Sequence, residues 1–325
     1  MSNRAKLVLI LGAGASRPFR FPTAGELREI IIGGDARPAV LKRLFGEHFV
    51  SADERGNRIS HGVGSLCDDY GRQLSECFES RLQIISPKAL VRLQRAFDQS
   101  DRISIDTFVK HLPAGNDELI NAAGLTVAFT FLWLERMIGK VGGDWYQMLM
   151  EDLFRDNPEY DFSHLTIVTF NYERSLEWYF RHVFAHQLQS DELAREHGKN
   201  LRVIHVYGSL GPLEGENPVS YGAIQSAGSA WQNIALAGVR AKNDSWRDVN
   251  DALRAAGRVA FLGFGFWDEN IANIDFDVLR GRAVHASCYR LAETVKGIVN
   301  AKATITWGKP DETDADFLRK VAILR

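Results

Sequence analysis

Four short stretches carry the residues that could do chemistry: Gly12-Ala13-Gly14-Ala15-Ser16, Thr169-Phe170-Asn171-Tyr172-Glu173, His205-Val206-Tyr207-Gly208-Ser209 and Gly263-Phe264-Gly265-Phe266. Glycines at 12 and 14 let a backbone turn sharply and come close to a pyrophosphate, whose charge favours a helix N-terminus. Asn171 offers a donor and an acceptor on a short side chain, suited to holding a ribose hydroxyl or a water. The imidazole of His205, with an ordinary pKa of about 6.5, suits a general base at neutral pH. A phenol such as Tyr207, ordinarily at about 10, suits the positioning of a hydroxyl. Strand side chains alternate, so His205 and Tyr207 are expected on one face of a common cleft, with Val206 in the core. The competing reading makes His205 a hydrogen-bonded core histidine and the site inactive. Glu173 either stabilises positive charge or caps the helix that starts near Arg174; the residues alone favour neither.

Weaker candidates have plainer explanations. His182 and His186 lie four apart on a helix, but without a third ligand or an HExxH pattern they read as surface histidines. Asp106 fits the first turn of a helix better than a cleft. Phe264, Phe266 and Trp267 could stack on an adenine, although burial alone would account for at least one.

These residues need a frame to bring them together. Residues 7–11 form a short, unalternated, branched apolar run, the mark of a strand buried on both faces in a parallel sheet. A glycine turn and a helical stretch over 24–32 follow, the opening of a nucleotide-binding βα unit. Residues 165–170, 201–206 and 258–263 repeat the buried-strand pattern, and weaker strands at 284–288 and 303–307 flank a helix. Strands alternating with helices predict an α/β fold, a Rossmann-like three-layer parallel sheet. Residues 34–158 show helical spacing, notably at 88–98 and 118–138, and read as a mostly helical insertion. The core is then 1–33 together with 159–325. Residues 49–65, rich in Gly, Asp, Asn and Arg, are expected to form a loop.

Composition narrows the function. Of 325 residues, 45% are hydrophobic and 25% charged, an ordinary globular mixture. Lys and Arg total 39 against 41 Asp and Glu, so a strongly basic nucleic-acid binder or polybasic membrane protein is not expected. The apolar run after the N-terminus is read as a strand, not a leader, and no membrane span is expected. Cys67, Cys77 and Cys288 form no CxxC, which excludes a four-cysteine zinc site within the chain and sets the expectation of no bound metal in a cytoplasmic protein. Arg17 stands where a dehydrogenase fingerprint needs its third glycine, and there is no GxxxxGK[ST].

Together, the GAGAS turn with its following Phe21-Pro22-Thr23, TFNYERSLEWY, HVYGSLG and LGFGFWDEN resemble the sirtuin family, in its divergent bacterial branch of anti-phage defence NADases. The resemblance covers residues 5–33 and about 160–275. It implies a sirtuin-like core that takes NAD as substrate and breaks its nicotinamide–ribose bond. By position, Gly12, Ala13, Gly14 and Ser16 would hold the phosphates, with Phe21, Pro22 and Thr23 covering the cofactor. Asn171 would sit beside the nicotinamide ribose, with Gly208 and Ser209 lining the same cleft and Thr169 a further cofactor-binding residue. Gly263, Phe264 and Gly265 would lie towards the adenosine. The sequence departs from the family in lacking the zinc-binding cysteines, which favours NAD hydrolysis over deacylation. It also has Tyr207 where the family has its catalytic histidine. The resemblance further implies a homo-oligomer, control by a separate defence partner such as a translocase-type ATPase, and NAD depletion as the outcome. The alternative is a non-catalytic module that senses NAD or ADP-ribose.

Overall fold

The computed structural model describes residues 6–52, 58–79, 85–155, 157, 160–236 and 244–321. Its centre is a six-stranded sheet of β1 (Leu7–Leu11), β4 (Leu165–Thr169), β5 (Arg202–His205), β6 (Arg258–Leu262), β7 (Ala283–Ala286) and β8 (Thr306–Trp307). Every pairing is parallel and the order is β5-β4-β1-β6-β7-β8. Renumbered within the sheet alone, that order is 3-2-1-4-5-6, the doubly wound Rossmann arrangement, with its topological switch between β1 and β6.

Alternation along the strands builds two cores. Leu7, Leu9, Leu11, Leu165, Ile167, Ala260 and Leu262 face one side. Val8, Ile10, Val168, Ile204, Val259, Phe261 and Val284 face the other. The first side is covered by α1 (Ala24–Ile32), α7 (Asp144–Phe154), α8 (Ser175–Leu188) and α14 (Asp314–Val321), the second by α11 (Asp244–Ala255) and α13 (Glu293–Asn300). This is a three-layer α/β fold.

Between α1 and α7 the chain is mostly helical: α2 (Ala36–Phe45), α3 (Val63–Glu79), α4 (Pro87–Gln99), α5 (Ile105–Lys110) and α6 (Asp117–Ile138). The expected loop at 49–65 instead includes an antiparallel pair, β2 (His48–Ala52) with β3 (Arg58–Gly62), followed by the start of α3. Its polar composition hid the strands, of which β3 is largely exposed. α6 is the one helix among the described residues long and apolar enough to cross a membrane, which the apolar runs of the sequence did not suggest. It is mostly buried inside the protein, as a core helix is. Thr126 and Thr130 are tolerated there because each hydroxyl donates to the carbonyl four residues back, at 2.7 Å. Gly124 leaves room for Trp231, whose ring would lie 3.1 Å from an added Cβ.

Candidate functional site

The glycine turn follows β1 as a 3-10 segment, Ala13–Phe19. Its glycines meet protein backbone. A Cβ on Gly12 would lie 2.5 Å from the Gly263 carbonyl oxygen, and one on Gly14 would lie 2.8 Å from Gly263 Cα. The Gly14 N–H donates to the Gly263 carbonyl and that of Ala15 to the Gly12 carbonyl, both at 3.0 Å. Gly263, at φ 54°, could carry no side chain, since its Cβ would sit 1.9 Å from Ala15 N. Gly12, Gly14 and Gly263 therefore let the turns after β1 and β6 touch across the switch point. Ala13 and Gly14 are half-buried and form the more accessible side of the turn. Trp145 on α7 fixes the turn from above, donating from Nε1 to the Ala15 carbonyl at 2.8 Å.

Asn171, just past β4, is the polar centre of this region. Its Nδ2 donates to the Gly12 carbonyl at 3.2 Å and to Ser16 Oγ at 2.8 Å. A backbone carbonyl can only accept, so the amide orientation is set by chemistry. Ser16 Oγ in turn donates to Glu173 Oε1 at 2.5 Å. Both amide hydrogens of Asn171 are thus spent within the protein, and its carboxamide oxygen has no partner among the described residues. The second oxygen of Glu173 accepts from the Ser175 N–H at 2.6 Å. Glu173 therefore serves as an N-terminal cap for α8 while also closing the Asn171–Ser16 chain. Burial raises its carboxyl above the usual carboxylate range, opposed by the Ser16 and Ser175 bonds.

His205, the last residue of β5, is largely buried beneath α8. Its Nε2 lies 2.6 Å from Glu177 Oε1, and its Nδ1 lies 3.0 Å from the Asn171 main-chain carbonyl. Both nitrogens face acceptors, so the ring satisfies the geometry as an imidazolium that donates twice. Burial works against the charge, but Glu177 and the Asn171 carbonyl outweigh it and raise the His205 pKa. For Glu177 burial is likewise the largest influence, yet His205 brings the carboxyl below its ordinary value.

Tyr207 goes elsewhere. β5 ends at His205, so alternation does not carry on to residue 207. Tyr207 lies near Phe170 and Trp246, and its hydroxyl donates to Asn270 Oδ1 at 2.5 Å. Burial, then Asp106 and Glu269, raise its phenol above the ordinary value. Gly208, at φ 73°, bridges to Ile234 and leaves no room for a Cβ beside the Asn233 carbonyl. The Ser209 hydroxyl accepts from the Gly211 N–H at 3.3 Å. A cavity of about 600 Å³ opens here, walled by Glu177, His205, Gly208, Ser209 and Asn233 among others. Asn171 and the glycine turn do not line it.

The structure thus joins Gly12, Gly14, Ser16, Asn171 and Gly263 directly. Phe170 links them to Phe264, at 4.8 Å between ring centroids, and to Tyr207. Gly208 and Ser209 stand apart, on the cavity. Phe21 is a core residue near Phe131, Pro22 is buried, and Thr23 caps α1 in a reciprocal pair with Glu26. Thr169 Oγ1 accepts from the Asn171 N–H at 3.1 Å. Phe264 and Phe266 are buried, and Trp267 is 55% exposed. Gly265 lies close to the Trp267 indole. His182 stacks on Trp178, and Asp106 accepts from the Tyr172 hydroxyl at 2.6 Å. Among the described residues, no group of three or more His, Cys, Asp or Glu could hold a metal ion.

Two partnerships escaped the sequence reading. Glu177 is one. The other is the fully buried pair of Glu135 on α6 with Arg174, at 2.6 Å. Arg174 also donates to the carbonyls of Gly211 and Val219, and Glu135 accepts from the Gly222 N–H, so the pair pins the 211–222 segment to the helical region. A carboxylate at the end of the uncharged run 119–134 of α6 was the available signal. No family model and no curated protein matches this sequence.

Proposed function

We propose that the protein is a sirtuin-like NAD glycohydrolase that splits the nicotinamide–ribose bond at the carboxyl ends of β1 and β4. The observation that carries this reading is Asn171: both amide hydrogens are anchored to the glycine turn, which leaves its carboxamide oxygen to accept from a ribose hydroxyl or a water. In NAD the pyridinium is already a cationic leaving group. Its departure with the C–N bonding pair leaves an oxocarbenium-like ribosyl centre; water adds to give ADP-ribose, or an internal nucleophile closes on it to give a cyclised form, in both cases with nicotinamide and one proton. Orientation and charge stabilisation supply most of what such a step needs. Glu173, which accepts from Ser16 Oγ, holds that hydroxyl and with it the Asn171 amide in place. The accessible side of the turn, Ala13 and Gly14, is left for the phosphates. NAD depletion calls for restraint, so the reading includes self-assembly or a separate trigger protein, such as a translocase-type ATPase, in the bacterial cytoplasm.

Incubation of purified protein with NAD should release nicotinamide, in the presence of a trigger if one is needed, and Asn171→Ala should abolish release in a protein that still folds. Equal release by wild type and Asn171→Ala would overturn the assignment. A second reading, a non-catalytic sensor of NAD or ADP-ribose, is favoured by the engagement of both His205 nitrogens and the Tyr207 hydroxyl, which leaves no free base at the end of β5. Binding of ADP-ribose without nicotinamide release in any assembly would select it.

A further inference from the structure

We propose that Glu177 and His205 form a positioning clamp for Asn171, in which the carboxylate holds the ring and the doubly protonated ring holds the Asn171 carbonyl. His205 is then a donor at both nitrogens and not a proton acceptor, and Glu177 becomes a residue the site depends on. The functional part rests on Asn171 being the reacting-site residue.

The geometry singles out one peptide. Asn171 is gripped at every polar atom but one. Its N–H donates to Thr169 Oγ1, its carbonyl accepts from His205 Nδ1, and its Nδ2 reaches Gly12 and Ser16. Only the carboxamide oxygen is left over. Three strand ends thereby converge on one residue, since Gly12 follows β1, Asn171 follows β4 and His205 closes β5. Thr169 and His205 are paired neighbours in the sheet, which sets the ring beside the peptide that follows Thr169. The charged and titratable groups around the ring also fit a cation: Glu177 on α8 and Glu173 before it, with Arg174 acting on Glu177 and the phenol of Tyr146 on α7 close to both carboxylates. A neutral ring would present a lone pair either to a carbonyl or to a carboxylate, which is repulsive in both tautomers, and a flipped ring would forfeit the two N–H bonds.

The prediction separates a clamp from a base. Removing a base lowers turnover and leaves Asn171 in place. Releasing a clamp moves Asn171, and small displacements of a positioning group can lower turnover by about 100-fold. Two measurements on the full-length chain test it. In ¹⁵N NMR, with the ring assigned by loss of its signals in His205→Asn, both His205 nitrogens should show the protonated shift at pH 7, and the titration midpoint should fall in Glu177→Gln. The same variant should shift the Asn171 and Tyr172 amide signals. In steady state, Glu177→Gln should lower nicotinamide release at least tenfold with KM for NAD nearly unchanged, and Glu177→Asp should recover most of the rate. A neutral ring at pH 7, or unmoved Asn171 and Tyr172 amides in Glu177→Gln, overturns the clamp. Full turnover in Glu177→Gln overturns its part in the reaction. If wild-type protein releases no nicotinamide under any condition, the hydrolase reading fails by itself, and the clamp is still decided by the NMR signals.

Discussion

At the scale of single residues, the buried carboxylates do unlike jobs that their sequence positions do not reveal. Glu135 and Arg174 are both essentially inaccessible, and burial pushes the Glu135 carboxyl up while Arg174 opposes it. Removing one member of such a pair strands the other, so Glu135→Ala should destabilise the fold by about 3–5 kcal/mol. Replacing both with Leu and Met should cost less; denaturant midpoints of the three variants give the comparison. The Glu177–His205 pair carries a pH signature. His205 has its pKa raised from 6.5, so its contribution is complete below that value and is lost as pH rises through the folded-state pKa. Glu177 has its pKa lowered from 4.5, so its contribution is present above that value and is lost as pH falls through the folded one. Wild type should therefore exceed His205→Asn in stability most between pH 4.5 and 6.5, and the gap should shrink on the alkaline side. A gap that widens from pH 7 to 9 in urea titrations would contradict the pairing.

At the scale of elements, the turns after β1 and β6 behave as one unit. Gly263→Ala should destabilise the protein by more than the ~1 kcal/mol typical of a point substitution, because its Cβ would overlap Ala15 N and its φ is positive. Thermal denaturation of Gly263→Ala beside Gly34→Ala, a glycine with positive φ and open space around it, isolates the overlap. Gly14→Val should likewise disturb both turns through the 2.8 Å approach to Gly263, so any loss of NAD affinity in it must be read against its stability. The buried strands were legible in the sequence because strands covered on both faces leave unbroken branched runs, as at Leu7–Leu11 and Arg258–Leu262. β8 shrank to Thr306–Trp307 because an edge strand has one neighbour and little to bury. Asn171 was legible as a strand-end amide. Glu177 was not, because a carboxylate in the first turn of a helix already has a local explanation, and its partner lies 28 residues away.

At the scale of the whole molecule, the helical region is fastened to the sheet core at several separated points, among them Trp145 to Ala15, Asp106 to Tyr172, Tyr146 to Ser175, and Glu135 to Arg174. One hydrophobic cluster runs from β1 and β4 through α1, α6 and α7 without a break. The two parts divided at residues 34 and 158 in the sequence therefore share a core, and calorimetry should show one cooperative transition, not two. Two resolved transitions would mean that the fastenings are weaker than their burial implies. Composition and period expose each stretch by itself, whereas these cross-links join residues from 29 to 130 positions apart, a relation no local pattern carries.

The packing of Gly12 and Gly14 on Gly263 has a consequence for lineages. A descendant that lost its ligand would still need all three glycines, because the fold needs them. Selection for folding alone would preserve the glycine turn long after its chemistry had gone. Among homologues, the informative position under the proposed function is then Asn171, whose amide hydrogens serve the fold while its carboxamide oxygen has no partner among the described residues. Under the proposed function, a lineage that keeps the glycines while position 171 drifts would be one that has kept the architecture and lost the reaction.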